Sequence, residues 1–143
     1  MTGTMTGTKP GTMLVTGGSR GIGRAVALMA AERGWDIALN WRGDRAAAEE
    51  TAARIRDLGR RVVVSQGDVS VEADVIRVFD EAEAAFGRLD AVVVNAGIAA
   101  PAMRLAEMGL DRIERVIRVN VTGALLTCRE AARRMGRTGE PTA

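Results

Sequence analysis

Short apolar runs alternate with longer segments of helical period along most of this chain, and this alternation restricts the fold more than any other feature. From residue 12 onward, each run is followed by a segment whose apolar residues recur every three or four positions. Repeated strand–helix units of this kind build a parallel sheet covered by helices on both faces. We therefore predict an α/β fold, a three-layer sandwich that ends after the fourth strand–helix unit.

The pattern also predicts where the elements lie. The predicted strands cover residues 13–15, 36–40, 61–66 and 91–94, and the two best-defined helices cover about 71–86 and 111–135. Glycines that end the first three helices are Gly34, Gly59 and Gly87. The side chains expected to face the core are Ile22, Val26 and Met29 in the first helix, and Ile113, Val116, Ile117, Ala124 and Cys128 in the last.

A glycine-rich segment, TGGSRGIG over residues 16–23, connects the first predicted strand to the first predicted helix. Glycines permit a sharp turn there, a close approach of the backbone to a pyrophosphate and tight packing of the helix on the strand. The helix N-terminus adds free N–H groups and the positive end of its dipole. The segment therefore predicts a dinucleotide site of the Rossmann type. The alternative is a turn without a ligand in some other α/β domain.

This glycine segment resembles the TGxxxGxG motif of the short-chain dehydrogenase/reductase family. Three more segments resemble family motifs in the same order: Asp68-Val69, Asn95-Ala96-Gly97 and Val119-Asn120-Val121. Val94 stands where the family's NNAG motif begins with Asn. The resemblance covers residue 12 to the end of the last helix. It implies a Rossmann-like sheet of strand order 3-2-1-4 and an oxidoreductase that transfers hydride between NAD(P) and a small carbonyl or alcohol substrate.

The candidate site residues come from these segments and from the charge pattern. Those expected to bind the cofactor are Thr16, Gly17, Ser19, Arg20, Gly21, Ile22, Gly23, Arg42, Asp68, Val69, Asn95, Ala96 and Gly97. The resemblance makes Asp68 the residue that contacts adenine. Asp68 could instead be an ordinary turn or N-cap residue, and residues 95–97 a simple turn.

Asn120 is the candidate catalytic residue, because the resemblance implies a part in a water-linked proton relay toward a catalytic Lys. It falls on the expected apolar stripe, between Ile117 and Ala124, where a buried amide must be hydrogen-bonded. Its neighbours are weak helix formers, so we predict a local break in the last helix. The alternative is a satisfied amide with only a structural role.

The charge pattern favours NADP over NAD. The family position at which NAD-preferring members carry an acid is occupied by Trp41, and Arg42 follows it. Arg20 and Ser19 in the glycine segment add a second cation and a hydroxyl. Two guanidinium groups at one place suit a phosphate dianion, although either arginine could be a simple surface charge.

The chain contains no tyrosine and no histidine, and its single lysine is Lys9. A Ser-His-Asp triad, a histidine metal site and a tyrosine general acid are therefore excluded within this chain. We predict no metal site. The family's catalytic Tyr, Lys and Ser lie beyond the fourth strand–helix unit, so the resemblance implies that this chain alone has no reductase activity.

Composition and charge limit location and partners. The net charge is only +2, and arginines alternate with acids along the helices, which favours solvated faces over nucleic-acid binding. No apolar run is long enough to span a bilayer, and no secretory signal is visible, so we expect a cytoplasmic protein that does not enter a membrane. The predicted organisation is a disordered leader (1–11), an incomplete NAD(P)-binding domain (12–135) and a polar tail (136–143).

Three functions fit these features. We favour a shortened or mis-terminated product of an NADP-dependent oxidoreductase gene; the others are a non-catalytic NADP-binding module and an interaction protein without a ligand. With no later strand beside it, the fourth strand would be an unpaired apolar edge, which invites self-association. The last helix also resembles one that pairs across subunits in family tetramers, which implies a homo-oligomer.

Overall fold

The sheet has four parallel strands in the order β3-β2-β1-β4. A computed structural model describes residues 10–136 and gives the strands as β1 (Thr12–Val15), β2 (Asp36–Trp41), β3 (Val62–Gln66) and β4 (Ala91–Val93). Strand β1 is central and pairs with both β2 and β4. Because every pair is parallel, the carboxyl ends of all four strands lie at one edge of the sheet. The predicted fold class and the strand order are confirmed.

Three helices connect the strands: α1 (Gly21–Glu32), α2 (Arg45–Asp57) and α3 (Glu72–Phe86). Beyond β4, a short 3₁₀ turn precedes α4 (Leu110–Ile117), a π-helical turn (Arg118–Thr122) and α5 (Gly123–Met135). The backbone stays helical through both junctions, so α4, the π turn and α5 form one interrupted helix. The predicted break lies at the predicted place, around Asn120.

The two faces of the sheet carry separate clusters of buried side chains. Leu14 and Val15 are adjacent in β1 and point to opposite faces, as in any strand. One cluster packs under α1 and α2 and includes Ile37 and Ile55. The other packs under α3 and α5 and includes Phe79. The three predicted layers are therefore present.

The predicted inward face of α1 is wrong at two of its three positions, and only Val26 packs against the core. Ile22 and Met29 are 76% and 53% exposed, and the buried positions are Gly23, Ala27, Ala30 and Ala31. A methyl group at Gly23 would overlap the backbone of the glycine loop, so this helix lies close to the strands. Small residues rather than large ones permit that approach.

The predicted inward face of the last helix is wrong at three of its five positions. Ile113, Ile117 and Cys128 are exposed, whereas Val116 and Ala124 are partly buried. No residue of α4 is fully buried. The buried positions are Val119, Gly123, Thr127 and Glu130. A π turn adds one residue to a helix and so rotates the following face by about 100°. A single helical period applied to residues 111–135 does not include that rotation, so it assigns the wrong buried face.

The predicted boundaries of the strands and helices differ from those in the structure by one residue at most. Gly34, Gly59 and Gly87 follow their helices with φ of 92°, 75° and 82°, as expected of helix-ending glycines. The predicted leader and tail lie almost wholly outside the described residues. Within residues 10–136, no helix has both the length and the apolar composition that crossing a membrane requires.

Candidate dinucleotide-binding site

A cleft of about 500 Å³ opens at the carboxyl edge of the sheet, where the loops after all four strands meet. Most of the predicted cofactor residues line it: Gly17, Ser19, Arg20, Ile22, Arg42, Asp68, Val69, Asn95, Ala96 and Gly97. Ligands in open parallel sheets bind in this crevice, beside the strand at which the connections change direction. The structure therefore brings together predicted residues that are as far apart in the sequence as Gly17 and Gly97.

The glycine loop leaves no room for side chains at two points. Gly17 has φ of 63°, and a Cβ there would lie 2.9 Å from the Cα of Ala96. A Cβ on Gly23 would overlap the carbonyl oxygen of Gly17 and the amide nitrogen of Asn95. Gly21 has φ of 58° and nothing near its Cβ position, so its backbone is open. Gly21 and Gly23 shape the loop without lining the cleft.

Helix α1 begins at this loop without a side-chain cap. Arg20 occupies the N-cap position in an extended conformation, and no side chain accepts a hydrogen bond from the first turn. In α2, by contrast, the Asp44 carboxylate accepts the N–H of Ala47 at 2.9 Å. The uncapped N–H groups of α1 leave a place for an anionic ligand, and the dipole favours negative charge there. This end of the cleft fits a pyrophosphate.

Thr16 and Asn95 join the glycine loop to the loop after β4. The Thr16 hydroxyl accepts the backbone N–H groups of Asn95 (3.0 Å) and Ala96 (3.1 Å). The Asn95 side chain donates to the carbonyls of Thr16 (3.0 Å) and Gly17 (3.1 Å). Thr16 is 3% exposed and does not line the cleft, so its contribution is to hold the two loops together.

Asn40, which sequence reasoning missed, makes a similar connection on the other side of the glycine loop. This residue of β2 is 2% exposed, and its Oδ1 accepts the N–H of Gly17 at 3.2 Å. Its Nδ2 donates to the carbonyls of Ser65 (3.3 Å) and Gly67 (3.1 Å). One buried amide thus connects the loops after β1 and β3. The available signal was an amide near the end of an otherwise apolar strand.

Asp68 lies at the far end of the cleft, after β3. Its Oδ1 accepts the N–H (2.9 Å) and the hydroxyl (2.6 Å) of Ser70, and its Oδ2 lies 3.3 Å from Nε of Arg42. Burial alone would raise the pKa of Asp68, but the hydrogen bonds from Ser70 and the charges of Arg42 and Arg115 hold that pKa below its ordinary value. Asp68 is therefore a carboxylate at neutral pH.

The two predicted arginines both lie at the cleft, and both are exposed. Arg42 has its side chain 50% exposed, whereas its neighbour Trp41 is 6% exposed and packs into the core under α1 and α2. No acid therefore occupies the end of β2. Two guanidinium groups on one cleft can supply bidentate hydrogen bonds to a phosphate.

Asn120 is exposed and does not line the cleft, so the prediction that it lies on a buried stripe is wrong. It lies in the π-helical turn. Its Nδ2 donates to the carbonyl of Ile98 at 2.8 Å, and its Oδ1 accepts the N–H of Ile98 at 2.7 Å. The amide of Asn120 therefore holds the segment that follows Gly97.

Several cleft residues were not predicted: Asn40, Gly43, Asp44, Gly67, Ile98 and Val119. Each lies within two positions of a predicted residue, so extending the predicted segments by two residues would have included them. Among residues 10–136, no three His, Cys, Asp or Glu side chains are grouped so that they could hold a metal ion.

Known proteins share this chain's sequence and fold. The model of the family described as short chain dehydrogenase matches residues 11–140. The uncharacterized oxidoreductase YgfF of Escherichia coli is 43% identical over 122 residues, which are 85% of this chain and 49% of that protein. The chain thus spans about half the length of the curated relatives it matches.

Two solved structures of dehydrogenases also match this chain, over about half of their own length. A short chain dehydrogenase from Burkholderia cenocepacia in complex with NADP superposes with a TM-score of 0.83 at 39% identity, over 87% of this chain and 50% of that one. An NAD⁺-bound xylitol dehydrogenase superposes with a TM-score of 0.83 at 34% identity, over 87% of this chain and 48% of that one. With its parallel sheet, its glycine loop and a family match over nearly its whole length, the chain belongs to the short-chain dehydrogenase family.

Proposed function

We propose that this chain binds NADP(H) in the cleft and forms the nucleotide-binding half of an oxidoreductase. The whole protein would reduce a carbonyl or oxidise an alcohol of a small-molecule substrate by hydride transfer. The observation that carries the choice of cofactor is the presence of Arg20 and Arg42 on one cleft with no acid at the end of β2. Related structures bind either NADP or NAD⁺, so the family alone does not decide between them.

Each part of the cleft would hold one part of the dinucleotide. The glycine loop and the uncapped start of α1 would bind the pyrophosphate, and Ser19, Arg20 and Arg42 the 2′-phosphate. Asp68 and Val69 would bind the adenine. The small residues Ala96 and Gly97 would let the rest of the cofactor pass close to the backbone. When bound, NADPH supplies the hydride.

We further propose that Asn120 contributes to catalysis in the whole protein through a proton relay. The π turn supports this role, because its backbone hydrogen bonds join residues five apart instead of four and leave a carbonyl free to hold a water. Proton transfer to the substrate still needs an acid, and this chain has no tyrosine or histidine. We therefore expect the 143-residue chain to bind NADPH without oxidising it. A homo-oligomer and a cytoplasmic location belong to the same proposal.

Titration calorimetry with NADPH and NADH tests the proposed cofactor. The chain should bind NADPH more tightly than NADH, and Arg42→Ala should weaken NADPH binding at least about tenfold while leaving NADH binding nearly unchanged. Arg56→Ala, at the opposite end of α2, is the matched control. Equal affinities of the unaltered chain for the two cofactors would refute the NADP preference, and no binding of either would refute the site.

A turnover assay tests whether the chain alone lacks activity, and a melting experiment tests the alternative of an interaction module that binds no cofactor. NADPH oxidation by the chain should stay at the background rate with aldehyde, ketone and thioester substrates. Oxidation above background with any of them would show that the chain carries its own proton donor. A melting temperature that excess NADPH does not raise would show that the cofactor does not bind and would favour the interaction module, because a ligand at a hundred times its Kd stabilises by about 2.7 kcal/mol.

A further inference from the structure

Arg42 lies in the connection between β2 and α2, outside any regular element, and Gly43 follows it. A long side chain in such a position has many conformations, and fixing it at a phosphate costs entropy. A selective phosphate site needs something outside this connection to hold the arginine. The residues at the end of β3 are the ones that reach it.

Two contacts hold Arg42, one at its backbone and one at its side chain. Gln66, the last residue of β3, donates from Nε2 to the carbonyl oxygen of Arg42 at 3.0 Å. Asp68 places its Oδ2 at 3.3 Å from Nε of Arg42. The parallel pairing of β2 with β3 places both partners beside Arg42, since Trp41 is in register with Gln66. The end of β3 therefore fixes the residue that follows β2.

Asp68 is itself held in place. Its Oδ1 accepts two hydrogen bonds from Ser70, and its backbone N–H donates to the carboxylate of Asp74 at 2.9 Å. Oδ2 is the oxygen left to face the guanidinium. Within residues 10–136, neither Nη group of Arg42 makes a hydrogen bond, so the edge that binds phosphate through two parallel bonds is available to a ligand.

We infer that Gln66 and Asp68 are positioning residues that orient Arg42 toward the 2′-phosphate, and that they set the preference for NADP over NAD without touching that phosphate. This inference rests on the proposed NADP site. It gives Asp68 a second role beside its proposed contact with adenine. A simple charge effect would act in the opposite direction, because removing a carboxylate beside a phosphate dianion should strengthen NADPH binding.

The experiment measures Kd for NADPH and NADH by titration calorimetry in Gln66→Met, Asp68→Asn and Arg42→Ala, and in each of the first two combined with Arg42→Ala. Met keeps the length of Gln66 without its donor, and Asn keeps the shape of Asp68 without its charge. Asp57→Asn, at the far end of α2, is the control for an equal change in charge. Loss of the adenine contact or of stability weakens the binding of NADPH and NADH by the same factor. The ratio of the two Kd values therefore isolates the effect on binding of the 2′-phosphate.

We expect the preference for NADPH to fall about three- to tenfold in Gln66→Met and in Asp68→Asn. When either is added to Arg42→Ala, we expect no loss beyond that of Arg42→Ala alone. An unchanged or increased NADPH preference in Asp68→Asn would overturn the inference. So would a substitution that lowers this preference by the same factor in the unaltered chain and in Arg42→Ala. Gln66 is exposed and does not line the cleft, so Gln66→Met decides the matter even if Asp68→Asn does not fold. If the unaltered chain shows no NADPH preference, the proposed cofactor fails with the inference. If it prefers NADPH and the variants prefer it by the same factor, the inference alone fails.

Discussion

The two flanks of the sheet differ in how completely they are covered. On one flank, β2 is buried at every position and lies between β1 and β3 beneath α1 and α2. On the other flank, β4 is one of the two edge strands of the described sheet and is only partly buried, as most of β3 is at the opposite edge. The helix on this flank, α4, buries none of its residues. The exposed apolar residues along that interrupted helix are Leu110, Ile113, Ile117, Val121 and Leu125. Exposed apolar residues grouped on one element are where the proposed homo-oligomer would make its contact.

The difference separates two proposed tasks. Most of the cofactor cleft, including the glycine loop, Asn40 and Arg42, belongs to the covered flank, which holds itself together. Asn120, the proposed catalytic residue, belongs to the open flank, and its side chain hydrogen-bonds the backbone of Ile98. Cofactor binding should therefore be a property of this chain alone, whereas catalysis should need whatever covers the open flank.

One matched pair of substitutions should show the largest contrast between the flanks. Ile55 in α2 is fully buried, so Ile55→Ala should lower the free energy of unfolding by about 2–5 kcal/mol. Ile117 in α4 is 49% exposed, so Ile117→Ala should cost about 0.5 kcal/mol or less. Urea denaturation of both variants measures the difference. Equal losses would mean that the open flank is as well packed as the covered one.

Glycine substitutions in the covered flank test how little space its cleft leaves. Gly23→Ala should cost about 1–3 kcal/mol and abolish NADPH binding, because its methyl group would overlap the Gly17 carbonyl. Gly21→Ala should cost about 1–2 kcal/mol through its positive φ alone. Gly43→Ala, with free space and no positive φ, is the control and should be nearly neutral in stability. Thermal unfolding with and without NADPH ranks the three, and a destabilised Gly43→Ala would contradict this order.

An ion-pair cluster at the opposite edge of the covered flank should make a smaller, pH-dependent contribution. Asp36, at the start of β2, accepts hydrogen bonds from Arg60 (2.6 Å) and Arg61 (2.8 Å). Burial alone would raise the pKa of Asp36, but these hydrogen bonds and charges hold it below its ordinary value of 3.8. Since the folded pKa is the lower one, this stabilisation is complete above pH 3.8 and is lost as the pH falls through the folded pKa.

Asp36→Asn should therefore lower the free energy of unfolding by about 1 kcal/mol at pH 7. At pH 2 the difference in this free energy between the variant and the unaltered chain should be smaller. Urea denaturation at the two pH values measures both effects. NADPH affinity should not change, because Asp36 lies at the amino edge of the sheet and the cleft at the carboxyl edge. A constant difference at both pH values would show that the carboxylate charge is not what stabilises this strand.

The smallest effect on stability should come from polar substitutions on the open flank, although they should change association. Ile117→Glu combined with Leu125→Glu removes two apolar side chains that are 49% and 66% exposed. The free energy of unfolding should change by about 0.5 kcal/mol or less. Sedimentation should show that the unaltered chain self-associates and that the double variant shifts toward the monomer. A monomer in both cases would remove the proposed homo-oligomer.

The sequence predicted the architecture more accurately than it predicted which helix faces are buried. The layers and the helix-ending glycines followed from local patterns, because a parallel sheet and its turns need particular residue types. The strand order followed from the family resemblance. The inward faces of α1 and the last helix did not follow, because close packing at Gly23 and one extra residue in the π turn depend on contacts distant in the sequence. The cleft was predictable through family motifs. The amide contacts of Asn40 were not, since nothing in the sequence places Gly67 beside Gly17.

Hydrogen–deuterium exchange with and without NADPH tests most directly whether the covered flank binds the cofactor. We predict that NADPH slows exchange at residues 16–23, 40–44, 67–69 and 95–98, which line or support the cleft, and leaves exchange along residues 110–117 unchanged. Exchange that stays the same everywhere, or that slows only along the open flank, would contradict an NADP site built by the loops at the carboxyl edge of this sheet.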